Sequence, residues 1–323
     1  MKHNTLSRTA ERIYWLGRYL ERAESTARLI NVNGNLLIDL PRGQTLGWQP
    51  LLQIMSSQEN FASHYDEASE RNVVRHLTSD ARNPGSLISS ILMARENART
   101  IREIMPRVSF EYINQLHMYT RQELTPNIGR ARRAQTLEGV TQRIQQFDGF
   151  LAGAMLRDNN WDFLSLGKHL ERADMTTRII EVRALSPLED ESHLEPYRQL
   201  QWRSILRSLH AMQNYNIFVQ EPIQQPLVLE FLFRNTDLPR SFAYCLETLR
   251  TSLRRLPRQD KPLKACNRII RFLNRTRVAD LDGEDLRAFI IECQQAMAEL
   301  HVTLSSTYFY GRVRRVRQRR TTR

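Results

Sequence analysis

Leu16-Gly17-Arg18-Tyr19-Leu20-Glu21-Arg22-Ala23-Glu24-Ser25-Thr26-Ala27-Arg28-Leu29-Ile30 recurs later in the chain as Leu166-Gly167-Lys168-His169-Leu170-Glu171-Arg172-Ala173-Asp174-Met175-Thr176-Thr177-Arg178-Ile179-Ile180, at a constant offset of 150 residues. Leu, Gly, Glu-Arg-Ala, Thr, Arg and Ile are kept, and the Arg18/Lys168 and Glu24/Asp174 exchanges keep the charge. Ile13, Leu16, Leu20, Ala23, Ala27 and Ile30 alternate spacings of 3 and 4, which predicts a helix packed against other helices. Beside that apolar stripe, on the same helical wheel, fall Gly17, Glu21, Glu24 and Arg28, and their counterparts Gly167, Glu171, Asp174 and Arg178.

The likeness extends beyond the opening stretch. At an offset of 154, Trp48 corresponds to Trp202 and Phe61 to Tyr215; at 155, Val73 corresponds to Val228 and Pro84 to Pro239. The stripe Leu87, Ile91, Ala94, Ala98 and Ile101 maps at the same offset onto Phe242, Leu246, Leu249, Leu253 and Leu256, all apolar. Such a period reads as a tandem duplication.

Ser7 is expected to cap the first helix, which should stop near Asn33-Gly34, and the turn residues Pro41, Gly43 and Gly47 mark the segment after it. A periodic run from Trp48 toward Phe61 and a shorter piece around Val73 to Leu77 follow. Asn83-Pro84 reads as a helix start, with Pro106 as its end. Helices are predicted over about Ser109 to Leu124 and Arg130 to Leu156, with the second copy beginning at Trp161. Pro187 to Pro196 reads as an acidic surface loop, and the chain should close with helices over about Pro262 to Arg275 and Gly283 to Tyr310. No strand signal is present. The fold class is therefore all-α, a helical bundle built from two copies of a unit of about 150 residues and about six helices. The first copy spans residues 1–157 and the second 158–311, packed as one body because no Gly/Ser-rich linker separates them, and an Arg-rich disordered tail occupies 312–323.

With 41% apolar and 25% charged residues over 323 positions, the chain can bury a core without staples. Seven arginines between Arg312 and Arg323 supply more than half of the net charge of +12. They suit a solubilising tail or an anchor for nucleic acid or another anionic surface. Cys245, Cys266 and Cys293 follow no zinc or redox spacing. No segment reaches the roughly 18 apolar residues of a membrane span, and a cytoplasmic location is expected.

Two meanings attach to the doubled stripe. Charges on the flank of a buried face must be paired, and Glu24 to Arg28 and Asp174 to Arg178 are i,i+4 pairs in the favourable acid-first order. A buried ion network setting helix register is the plainer meaning. A polar pocket shared by the copies is the other, where Glu21, Arg22, Glu24 and Arg28 meet Glu171, Arg172, Asp174 and Arg178 around an anionic substrate. Arg95, Glu96 and Arg99 repeat the acid-arginine theme and are candidates for the same place. Gly17 and Gly167 cost roughly 1 kcal/mol each inside a helix, which marks a close approach. No cofactor is expected. A divalent cation at the paired carboxylates is the weaker alternative, since no histidine follows a glutamate at the spacing of a di-metal helix bundle. Phosphate loops, nucleophile elbows and HExxH motifs are absent, so no self-contained catalytic centre is read and the chain leans away from being an enzyme.

Leu6-Ser7-Arg8, Tyr14 through Glu24, Leu166 through Asp174, Arg95-Glu96-Asn97-Ala98-Arg99 and Pro239-Arg240-Ser241 together strongly resemble the bacterial alpha-E domain family. The likeness covers nearly the whole chain except the arginine tail, with mild departures at Lys168, His169 and Leu238. The resemblance implies an all-helical cytosolic protein encoded with a circularly permuted ATP-grasp protein and often a transglutaminase-like protein. Such company implies an accessory role in peptide or amide ligation, binding the ligase or presenting its substrate. The alternatives are an enzyme with a carboxylate/arginine site shared by the Glu-Arg helices, and anionic-polymer binding through the tail.

Overall fold

The computed structural model describes residues 7–39, 47–184 and 195–309. The tail 312–323 and most of the expected turn and loop segments after Asp39 and after Ala184 lie outside them. The described residues contain fourteen α-helices and no strand. Seven precede residue 157: α1 (Ser7–Asp39), α2 (Gln49–Ile54), α3 (Gln58–Ala62), α4 (Glu70–Thr78), α5 (Leu87–Thr100), α6 (Arg107–Glu123) and α7 (Arg130–Ala154). Seven follow: α8 (Asn159–Ala184), α9 (Glu195–Ser208), α10 (Met212–Phe218), α11 (Gln225–Arg234), α12 (Phe242–Arg255), α13 (Asp260–Arg275) and α14 (Gly283–Leu304).

Helix α1 is central. From Glu21 to Ile30 every residue but Arg22 is buried, apolar and charged alike, so the helix has neighbours on nearly all sides. Its principal neighbour is α8, with α5 and α7 beside it, and α12 and α14 packing on α8. Contacts advance together along α1 and α8, from Gly17 with Leu164 to Asn33 with Arg183, so the two helices run in the same direction. Both expected apolar stripes of α5 and α12 are buried, from Leu87 to Ile101 and from Phe242 to Leu256, within one continuous core.

Seven helices stand on each side where six were expected, because the periodic runs after Trp48 and before Tyr215 are each broken. Ser56 (φ 49°) separates α2 from α3, and His210 (φ 51°) separates α9 from α10. Left-handed backbone at residues other than glycine leaves little trace in sequence.

Other boundaries also moved. α1 runs past Asn33-Gly34 to Asp39, since Gly34 lies against Arg133 and Trp48 and tertiary packing outweighs the glycine's weak propensity. α5 starts at Leu87 rather than at Pro84: Ser86 caps it by accepting from Ser89 N, while the Asn83 side chain accepts from Gly85 N and donates to His76 O. It ends at Thr100, ahead of a 3-10 turn over Arg102–Ile104, rather than at Pro106. α9 already includes Pro196, and α14 passes at Leu304 into a π-helical turn over Ser305–Phe309.

Candidate functional site

The α1/α8 contact is closest where the two helices lack side chains. A Cβ on Gly17 would lie 2.5 Å from Leu164 O, and one on Gly167 would overlap Tyr14 O outright. Just past that crossing the charged flanks of the two helices meet inside the protein rather than at its surface.

They meet as two centres. In one, Glu21 accepts from Arg172 Nη2 (2.6 Å) and Arg240 Nη1 (2.7 Å). Glu24 accepts from Arg240 Nη2 (2.9 Å), Arg28 Nη1 (3.0 Å) and Gln145 Nε2 (3.2 Å). Arg28 also donates to Ser208 O (2.7 Å), just ahead of the strained turn at His210. In the other centre, Glu171 accepts from Arg18 Nε and Arg22 Nε, each at 2.6 Å, and Asp174 accepts from Arg178 Nε at 2.8 Å. Arg178 reaches on to Ser56 Oγ, at the other strained turn. Arg18 lies over the Trp15 ring and Arg22 over Tyr19, so both guanidiniums that serve Glu171 rest on aromatic faces.

Burial works against every charge here, and the guanidiniums overcome it at three of the four carboxylates. Glu21 is held well below the usual carboxylate range by Arg172 and Arg240 despite its burial. Glu24, buried but facing Arg240 and Arg28, falls to about 2, and Glu171, buried but facing Arg18 and Arg22, also falls to about 2. Asp174 goes the other way: burial pushes it up, and its single partner Arg178 does not compensate.

The sequence-predicted stripes thus come together, but as two separate centres that share no guanidinium, so the four carboxylates do not converge on one pocket. Arg95, Glu96 and Arg99 stand apart. They pair with one another and with Asn114 on the surface of α5 and α6, and among the described residues no hydrogen bond or ion pair joins them to either centre. Sequence reasoning missed Arg18, Arg240, Gln145 and His210 as members. Arg240 carried a signal: it stands where the offset of 155 puts Gly85, a charge replacing a glycine after the same proline. Among the described residues, no group of three His, Cys, Asp or Glu side chains is disposed to hold a metal ion.

The Alpha-E pattern, described as a predicted alpha-helical domain with a conserved ER motif, matches residues 5–309. The chain belongs to the Alpha-E family. Glu21-Arg22 and Glu171-Arg172, two of the four Glu-Arg dipeptides in this Alpha-E domain, are the residues through which its two central helices exchange partners. The chain is also similar to an uncharacterized protein of Mycobacterium bovis, 21% identical over 90% of this chain and 35% of that protein. Uncharacterized proteins of two Mycobacterium tuberculosis strains match at the same identity and coverage. This Alpha-E chain therefore spans about a third of the length of these relatives. No solved structure matches it. No described helix is long and apolar enough to cross a membrane.

Proposed function

We propose that the chain is a non-catalytic helical accessory protein of an ATP-grasp-dependent peptide or amide ligation system, binding the ligase or presenting its substrate. The observation that carries this is the saturation of the carboxylates. Glu21 and Glu171 each hold two guanidiniums, and Glu24 holds two and an amide. A general base or nucleophile needs an oxygen facing its substrate; these oxygens face arginine. The network is then a clamp that fixes α1 on α8 and so sets the shape a partner meets. Ile217 and Phe218 on α10, 63% and 66% exposed, give such a partner an apolar foothold. The circularly permuted ATP-grasp protein, and with it a transglutaminase-like protein, enters through the family resemblance.

The same reading takes the chain as a tandem duplication of 1–157 and 158–311 packed as one body. The equal number of helices on each side, and the matched contacts of Gly17 and Gly167, support it.

Mixing the purified chain with a circularly permuted ATP-grasp protein tests the proposal. A complex in size-exclusion chromatography that Phe218→Asp abolishes, with altered ATP turnover, is expected. Absence of both a complex and any change in turnover would overturn it.

A second reading, an enzyme with a carboxylate/arginine site, is favoured by Asp174 alone, the one network carboxylate with a single guanidinium partner and a raised pKa. It requires Asp174→Asn to keep thermal stability and lose the activity.

A further inference from the structure

The centre containing Arg240 is not closed. It opens on a cavity of about 500 Å³, within the range of about 300–1,000 Å³ typical of small-molecule sites. Gln145, Arg172, His210 and Arg240 supply hydrogen-bond donors to its wall, and Glu24 and Asp148 supply the acids. Both acids are already engaged: Glu24 by two guanidiniums, Asp148 by Lys168 Nζ at 2.5 Å. Around Glu21 and Glu24 stand three guanidiniums, those of Arg28, Arg172 and Arg240, so among the described residues one positive charge is unopposed. Arg172 is only 8% exposed, and its Nε has no hydrogen-bond partner. That nitrogen is closed off from solvent; a buried donor left unpaired is costly, so a small turn of the guanidinium toward a ligand acceptor would recover that cost.

The surplus charge is felt by its neighbours. Burial, then Arg240, draws Arg28 down to about 10. Burial, then Arg28 and Arg240, draws His210 down to about 4. His210 sits on the cavity wall in left-handed backbone, a strained conformation that survives only where the surroundings impose it. In sequence, the position that matches Arg240 at the offset of 155 is Gly85, which brings no charge.

We infer that this cavity binds a small oxyanion, a carboxylate or phosphate group, received by Arg172, Arg240 and Gln145. The site goes beyond the accessory role proposed above and does not depend on the ligase: it is a property of the isolated chain.

Calorimetric titration of the full chain with succinate and with inorganic phosphate, at ionic strength held constant with chloride, tests the inference. Arg240 variants risk unfolding, so the decisive variant is Gln145→Glu, which places a carboxylate on the exposed rim; it removes the amide that Glu24 accepts from but none of the guanidiniums, and an unchanged melting temperature is required of it. Gln142→Glu, exposed on the same helix and outside the cavity, makes the same change in net charge. Saturable binding of at least one anion is expected, weakened about tenfold or more by Gln145→Glu, because like charge is set against the ligand, and unaltered by Gln142→Glu. Phosphate binding without succinate binding assigns a phosphate-bearing ligand, and the reverse assigns a carboxylate. No saturable binding of either anion, or equal loss in both variants, would overturn the site. Because no ligase is present in the titration, either result leaves the accessory role to be decided by its own experiment.

Discussion

Gly17 and Gly167 face each other's helix backbone in matching fashion: Gly17 lies against the carbonyl of Leu164, three residues before Gly167, and Gly167 lies against that of Tyr14, three residues before Gly17. Backbone cannot yield as a flexible side chain can, so a methyl group at either place forces the helices apart. Gly167→Ala and Gly17→Ala are expected to destabilise by about 1–3 kcal/mol, the cost of overpacking, with Gly167 the worse. Gly34→Ala is the contrast. Its Cβ would meet Arg133 and Trp48 at ordinary distances of 3.6 and 3.9 Å, so the gain in helix propensity should stabilise by about 0.5–1 kcal/mol. Urea unfolding of the three variants measures all of this.

Removing one network carboxylate strands its arginines. Glu21→Gln leaves Arg172 and Arg240 in a buried place without their shared carboxylate, and Glu171→Gln does the same to Arg18 and Arg22. Each should cost about 3–5 kcal/mol. Glu96→Gln breaks pairs at the surface of α5, where Glu96 is 38% exposed, and should stay within about 0.5 kcal/mol. Equal, small effects at Glu21 and Glu96 in denaturant melts would refute the clamp.

Acid should unfold the protein in two overlapping stages. His76, His169, His210 and His301 are all depressed from 6.5, first by burial, to about 4 or, for His169, about 3. Between about pH 6.5 and 4 the unfolded chain thus binds more protons than the folded one, and stability declines as pH falls. Glu24 and Glu171, buried but held at about 2 by their arginines against 4.5 unfolded, add stability that is whole above pH 4.5 and lost between there and about 2. Asp174, raised by burial, opposes the second stage weakly. Melting temperature recorded from pH 7.5 to 3 should fall throughout, and a plateau between pH 6.5 and 4 would contradict the histidine assignment.

Cys245, Cys266 and Cys293 are fully enclosed. Burial pushes the thiols of Cys245 and Cys266 up to about 12 and raises Cys293 as well. All three should be inert to a thiol-reactive dye in the native protein at pH 8 and react together on unfolding. Stoichiometric labelling without denaturant would show that one of them is accessible.

The helices were legible in the sequence wherever apolar spacing repeated, as in α5 and α12, and the charged stripe of α1 was legible because it occurred twice. What pairs with that stripe was not. Arg240 meets Glu21 across 219 residues and Gln145 meets Glu24 across 121, and no local pattern encodes a contact at that range. The turns at Ser56 and His210 were hidden for a different reason, since each adopts a glycine-like conformation without a glycine. Ser86 displaced Asn83 as the cap of α5 because a capable hydroxyl stood closer to the helix.

Arg22 serves Glu171 while Arg172 serves Glu21, and this exchange makes the two halves of the chain mutually dependent. A polypeptide ending near residue 157 keeps Glu21 but loses both of its guanidiniums; one beginning near 158 keeps Glu171 and loses both of its own. Severed between α7 and α8, neither half should show a native spectrum as a monomer, and the two should recover one when expressed together. The lone first half has one other recourse, a second copy of itself, whose Glu21-Arg22 would offer the pair that Glu171-Arg172 now provides, and half of this sequence would then assemble as a two-fold dimer.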